Sequence, residues 1–209
     1  MKMPLYLIFF TSFLIGLSGA LSPGPLLIVT IDETIKKDFK AGPLIITGHS
    51  FLELLMVIIL IFGLGDILKN SEVQKYMSIF GGIFLIYFGI STFFSKYEFK
   101  KENYGDFKST KNYILILKGI FISLSNPYWT VWWITVGLIY LSFALPYGFW
   151  GIFLFFTGHI LSDFFWYSTV SYFIYSSREI FTSKIKYLSF SLGSFLVIFG
   201  GFLILKNFI

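Results

Sequence analysis

A histidine and a carboxylate stand four residues apart at two places in this sequence: His49 with Glu53, and His159 with Asp163. On an α-helix that spacing stacks the two side chains on one face. The first pair lies in Thr47-Gly48-His49-Ser50-Phe51-Leu52-Glu53 and the second in Thr157-Gly158-His159-Ile160-Leu161-Ser162-Asp163, at an offset of 110. Histidine titrates near neutral pH, so each pair could take up and release a proton. Another reading is metal binding, since two imidazoles and two carboxylates could complete a divalent-cation site, which the i, i+4 spacing allows without demanding. The plain alternative is an interhelical hydrogen bond that only fixes packing. A charge at the centre of a bilayer costs about 2.5 to 3.5 kcal/mol even on the lenient insertion scale. The four groups are therefore expected to face inward, within reach of one another.

Two other positions interrupt apolar sequence. Pro23, Gly24 and Pro25 break the first apolar segment, and Asn126 with Pro127 breaks the fourth. Proline removes a backbone donor and clashes with the preceding turn. Backbone left unpaired at membrane depth is tolerated only against protein or a wet cavity, so both breaks are expected to line a pathway. A proline kink used for packing is the alternative. Trp166 and Tyr167, one turn beyond Asp163, are candidate lining residues. Trp129, Trp132 and Trp133 could line the pathway, clamp substrate or anchor at the interface, and in a chain that is 22% aromatic the anchor reading is preferred for most of them. Asp32, Glu33 and Asp38 with their lysines read as a solvated loop, with Asp32 as a candidate entrance charge. Gly82 with Gly89, and Gly193 with Gly200, form small-residue faces suited to close helix packing.

The elements that must position these residues are membrane helices. Of 209 residues, 56% are apolar and 13% charged, whereas a soluble domain is about a quarter charged. Hydrophobic segments run from about 5 to 31, 43 to 64, 77 to 95, 113 to 145, 148 to 175 and 187 to 205, each long enough for a span of roughly 20 residues. The first continues through its break to Ile31, so it reads as a span and not as a cleaved leader. Lys36, Lys37 and Lys40, then Lys96, Lys100, Lys101, Lys108 and Lys111, then Arg178, Lys184 and Lys186 occupy the odd-numbered connections. Only Lys2, Lys69, Lys75 and Lys206 lie on the other side. The positive-inside rule then makes the odd connections cytoplasmic and places both termini outside a multi-pass protein of the cell membrane. The net charge of +5 follows that sidedness, and no nucleic-acid partner is expected. Cysteine is absent, which excludes disulfides and thiolate metal sites. No cofactor is expected.

The order of features occurs twice: a break, a helix carrying Thr-Gly-His, and a helix lined by glycine, with Gly82 and Gly89 recurring as Gly193 and Gly200. Leu21-Ser22-Pro23-Gly24-Pro25 has a looser echo in Leu124-Ser125-Asn126-Pro127, which needs an insertion of about eight residues before the second Thr-Gly-His. A three-helix unit must enter the membrane from opposite sides in its two copies, giving an inverted repeat of the kind found in secondary transporters. The expected fold is all-α: one transmembrane domain over 1–209, with repeat 1 at about 1–95, a cytoplasmic linker at 96–112, and repeat 2 at about 113–209. It has six transmembrane helices, of which helices 1 and 4 are broken.

The Ser22-Pro23-Gly24-Pro25 break, the lysine-rich turn before Ala41-Gly42, and Gly48 followed by a polar residue form one part of a pattern. Ser125-Asn126-Pro127 with its aromatic run and Asp163-Phe164-Phe165-Trp166-Tyr167 form the other. Together, over nearly the whole chain, they resemble the lysine exporter (LysE/RhtB) family of amino-acid exporters. The resemblance implies efflux of amino acids or related solutes from the cytoplasm, driven by the proton or membrane potential, and often assembly as a dimer. Pro23, Gly24, Pro25, Asn126, Pro127 and Asp163 match the family's pattern by position. His49 departs from it, standing where many members carry an aspartate, and Glu53 one turn on offers a carboxylate in its place. The sequence is thus read as an alternating-access exporter of a small amino acid, with proton coupling at the His-carboxylate pairs. A divalent-cation exporter is its rival. A membrane hydrolase is disfavoured, because there is neither a nucleophile elbow nor a His-Glu-x-x-His run.

Overall fold

The structure, a computed structural model, describes residues 4–21, 24–63, 70–93, 110–177 and 185–208. Its helices are α1 (Leu5–Ala20), α2 (Pro25–Lys36), α3 (Ala41–Ile61), α4 (Ser71–Phe93), α5 (Asn112–Leu124), α6 (Pro127–Trp132), α7 (Leu138–Ala144), α8 (Gly148–Ser176) and α9 (Ile185–Leu205). A π-helical turn at Trp133–Gly137 joins α6 to α7, and a 3-10 turn at Leu145–Tyr147 joins α7 to α8. The described residues contain no strand. Each apolar segment of the sequence becomes helix, and the first and fourth are divided.

Both divisions have the same local cause. Pro25 occupies the first position of α2, where its missing N–H is not needed, and the extended Gly24 precedes it. The axes of α1 and α2 differ by 78°. In the fourth segment Ser125 closes the last turn of α5, and Asn126 lies outside both helices. The ring of Pro127 disfavours helical backbone in the residue before it, so α5 stops and α6 begins at the proline. Pro23 lies outside the described residues. So do most of the expected linker at 96–112 and Arg178 and Lys184 of the fifth connection.

Between α7 and α8 the chain folds back. Gly148 has φ of +58°, a conformation glycine adopts without penalty. The Trp133 ring, before the turn, lies 6.1 Å from the Phe155 ring after it, which a continuous rod would forbid. Among the described residues, two helical stretches are long and apolar enough to cross a membrane: Ala41–Ile61, with mean hydropathy 2.3, and Leu138–Ser176, with 1.7. The second is the folded-back run, of which α8 alone supplies 29 residues. The bent pair α1–α2 makes a third candidate if it is counted as one span. Phe10, Leu14, Phe51, Phe80, Tyr87, Phe173 and Phe202 are exposed on the outer surface. Apolar side chains of that size facing outward over so many helices suit lipid and not water.

Packing is pairwise: α1 lies against α8, α3 against α5, and α4 against α9. Glycine sets the distance in each pair. A Cβ on Gly158 would meet the carbonyl of Phe9, one on Gly48 that of Ile116, and one on Gly119 that of Ile45. Gly82 and Gly200 oppose each other's carbonyls, as do Gly89 and Gly193. Small residues are what allow helices to approach this closely in lipid. Two apolar clusters result. One contains Leu26, Ile45, Ile122, Leu196 and Leu203. The other contains Ile8, Met56, Trp133, Leu141 and Phe155.

The Asp32–Lys40 region departs from the sequence expectation of a solvated loop. Helix α2 continues to Lys36, and Asp32, Glu33 and Thr34 are buried. The reason is a set of partners on other helices. Glu33 takes an ion pair from Lys118 of α5, and the Thr110 hydroxyl donates to it at 2.9 Å. Lys37 donates to the Thr110 carbonyl at 2.8 Å, Thr34 bonds Ser171 of α8 at 2.9 Å, and Asp32 pairs with Lys36 along the helix.

Candidate functional site

The break between α1 and α2 and the break between α5 and α6 open onto one cavity of about 480 Å³. Gly24 and Pro25 line it from the first break, and Asn126 from the second. His49 and Glu53 enter from α3, and His159 and Asp163 from α8. The structure thus brings together nearly all the site residues expected from the sequence. Pro23 lies outside the described residues, and the side chain of Pro127 is likewise not described. Trp166 does not line the cavity: it packs beside one apolar cluster, and its buried Nε1 has no hydrogen-bond partner. Its neighbour Tyr167 does line the cavity. Tyr167 stands four residues beyond Asp163, which stands four beyond His159, so helical periodicity separates it from Trp166.

Glu53 is the hub. Its Oε1 lies 3.1 Å from Nε2 of His49 and 3.1 Å from Nε2 of His159. It also accepts hydrogen bonds from the indole N–H of Trp129 at 3.3 Å and of Trp133 at 3.2 Å. Oδ2 of Asp163 lies 3.9 Å from His49 Nε2 and 3.8 Å from His159 Nε2. All four ionisable residues are buried. Oε2 of Glu53 and Oδ2 of Asp163 have no hydrogen-bond partner. His49, Glu53 and Asp163 each bring one nitrogen or oxygen to within 4.8 Å of the others.

The tryptophans expected as interfacial anchors instead form the walls of this site. Trp132 and Trp133 hold the His159 ring between them, with centroids 4.9 and 5.0 Å away, and Trp129 lies 6.4 Å from the His49 ring. The π-helical turn that begins at Trp133 advances the backbone by an extra residue per turn. Such turns recur at functional sites.

Ser123 orients His49. Its hydroxyl donates to the Gly119 carbonyl at 2.7 Å, which uses its one hydrogen. His49 Nδ1, 2.6 Å from the same oxygen, is then the donor in that contact. In the neutral ring this tautomer leaves Nε2 without a hydrogen, facing the Glu53 carboxylate. Sequence reasoning did not identify Ser123. The signal available was its place one turn after Gly119 and immediately before the second break. It also passed over Lys118, although a lone cation inside an apolar segment is itself a signal of a buried partner.

A bundle of apolar helices that holds ionisable side chains around one cavity, at the point where two helices break, defines a helical membrane protein with a polar internal cavity. The chain belongs to the LysE type translocator family, whose match covers residues 17–207. It is accordingly a multi-pass membrane exporter of amino acids or related solutes, from a family of transporters and not of enzymes. No curated protein and no solved structure matches the chain.

Proposed function

We propose that the protein is a secondary exporter of small amino acids with six spans, built from two inverted three-helix units about the central cavity. The single observation that carries this reading is the convergence of both helix breaks and both His-carboxylate pairs on one cavity. In known inverted-repeat transporters, substrate sits near the midplane at discontinuous helices. The helix pairing supports the same reading. The Ser12 hydroxyl of α1 donates to the Phe155 carbonyl of α8 at 2.6 Å, and Gly119 of α5 stands against the Ile45 carbonyl of α3. Phe155 and Ile45 are separated by the same offset of 110 that relates the two Thr-Gly-His runs. The pairing α1–α8 is therefore the counterpart of α5–α3, and the α4–α9 pair is its own counterpart.

In this mechanism the backbone around the two breaks, at Gly24 and Asn126, takes the charged ends of the amino acid, and the His-carboxylate pairs carry coupling protons. The basic connections stay in the cytoplasm. The Glu33–Lys118 ion pair lies beside the first connection, at the end this reading assigns to the cytoplasm.

Counterflow in proteoliposomes tests the reading. Vesicles loaded with an unlabelled amino acid should accumulate the matching labelled compound, and the Asp163→Asn variant should not. Absence of exchange across a full panel of amino acids, by protein that remains monodisperse, would refute it.

A further inference from the structure

The hydrogen-bond pattern around the central carboxylates leaves a positive charge unaccounted for. Ser123 holds His49 in the tautomer whose Nε2 is bare in the neutral ring, and that nitrogen points at Glu53 Oε1 from 3.1 Å. Two electron-rich atoms at that separation need a proton or a cation between them. Glu53 Oε2 and Asp163 Oδ2 are buried without any hydrogen-bond partner, in residues only 1% and 3% exposed. Leaving such groups unmatched is costly, and among the described residues no lysine or arginine lines the cavity.

The spacing of the ligating atoms indicates what fits. Tetrahedral coordination with metal–nitrogen and metal–oxygen bonds of about 2.0 to 2.2 Å places adjacent ligand atoms roughly 3.3 to 3.6 Å apart. The four nitrogen-to-oxygen separations here are 3.1, 3.9, 3.1 and 3.8 Å. The donors are imidazole nitrogen and carboxylate oxygen, without sulfur. That set suits zinc and its first-row neighbours, while Ca²⁺ and Mg²⁺ prefer oxygen alone. Ser123 supplies the outer contact that metal-binding histidines make through their second nitrogen.

We propose that His49, Glu53 and Asp163, with His159 as a fourth ligand at the edge, form a binding site for a divalent transition-metal ion of the zinc class. The ion sits at the junction of α3 and α8, against the tryptophan wall. The ion competes with the coupling protons for the same four side chains, so in any one state of the protein the pairs hold either the metal or the protons.

Titration of the purified, detergent-solubilised full chain with Co²⁺ tests this directly. The expected result is one equivalent bound, with visible absorption bands of low-symmetry, four- or five-coordinate cobalt that added Zn²⁺ abolishes. The Asp163→Asn variant should lose the bands. Ser123→Ala, which removes no ligand, should weaken the affinity by about 10- to 100-fold through loss of the outer contact. Absence of such bands in the monodisperse wild-type protein would overturn the proposal, as would bands that persist unchanged in both variants. The readout involves no transport, so a failure of amino-acid counterflow and a failure of metal binding are separate results.

Discussion

Among the described residues two buried carboxylate clusters occur, and they are built in opposite ways. At one end of α2, Glu33 is saturated: Lys118 pairs with one oxygen and Thr110 donates to the other. In the cavity, Glu53 crowds four nitrogen neighbours around one oxygen and leaves the second without a hydrogen-bond partner, as Asp163 leaves its Oδ2. A carboxylate whose partners are all intramolecular is a fastener between helices. One whose oxygens face a cavity unmatched is poised to bind something from outside the chain. Charge alone does not distinguish the two, since both lie in apolar surroundings. The partner set does.

The largest expected effect comes from removing charge at the open cluster. Asp163→Asn and Glu53→Gln should each reduce amino-acid counterflow to the level of empty vesicles, while gel filtration in detergent still shows folded protein. Undiminished exchange by either variant would erase the functional half of the contrast. At the closed cluster the main effect should fall on stability. Lys118→Met leaves Glu33 buried and unpaired, at a cost of about 3 kcal/mol, read as a lowered midpoint in thermal or denaturant melts. The double variant Glu33→Leu with Lys118→Met should recover most of that loss, because isosteric apolar replacement of a buried pair is often close to neutral. If the double variant melts no higher than the single one, Glu33 is not the partner that matters.

Smaller effects sharpen the boundary between the clusters. Gly48→Ala presses a methyl group against the Ile116 carbonyl and should cost about 1 to 3 kcal/mol in the melt. Its counterpart Gly158→Ala, against the Phe9 carbonyl, should behave alike if the two helix pairs are equivalent. The smallest effect is expected for Trp166→Phe, which deletes a buried N–H that has no partner and lies off the cavity. Counterflow should be unchanged, whereas Trp132→Phe, in the wall against His159, should slow it.

Much of the architecture was legible before any coordinates. Six apolar segments predicted the helices, because backbone in lipid must pair within its own segment. Pro25 and Pro127 marked the two breaks, because a proline can start a helix but cannot sit inside one without cost. The spacing of His49 with Glu53 and of His159 with Asp163 marked the central cluster, because residues four apart share a face. Tyr167 could have been chosen over Trp166 by the same periodicity. Glu33 was misread as a loop residue because its partners, Lys118 and Thr110, lie far along the chain, and local polarity resembles a solvated turn when the matching charge is not in view.

The sequence by itself determined the solvent, the segments, the breaks and that His49, Glu53, His159 and Asp163 must be hidden, since each follows from local composition and helical period. The tertiary structure alone decided that both breaks meet at one cavity, that Trp129 and Trp132 wall it, and that Ser123 selects the tautomer of His49. It also decided which carboxylates are matched and which are left open. Those outcomes depend on how α3, α5 and α8 approach one another at glycine contacts, and the distance between two helices is a property of their packing that neither helix's sequence contains.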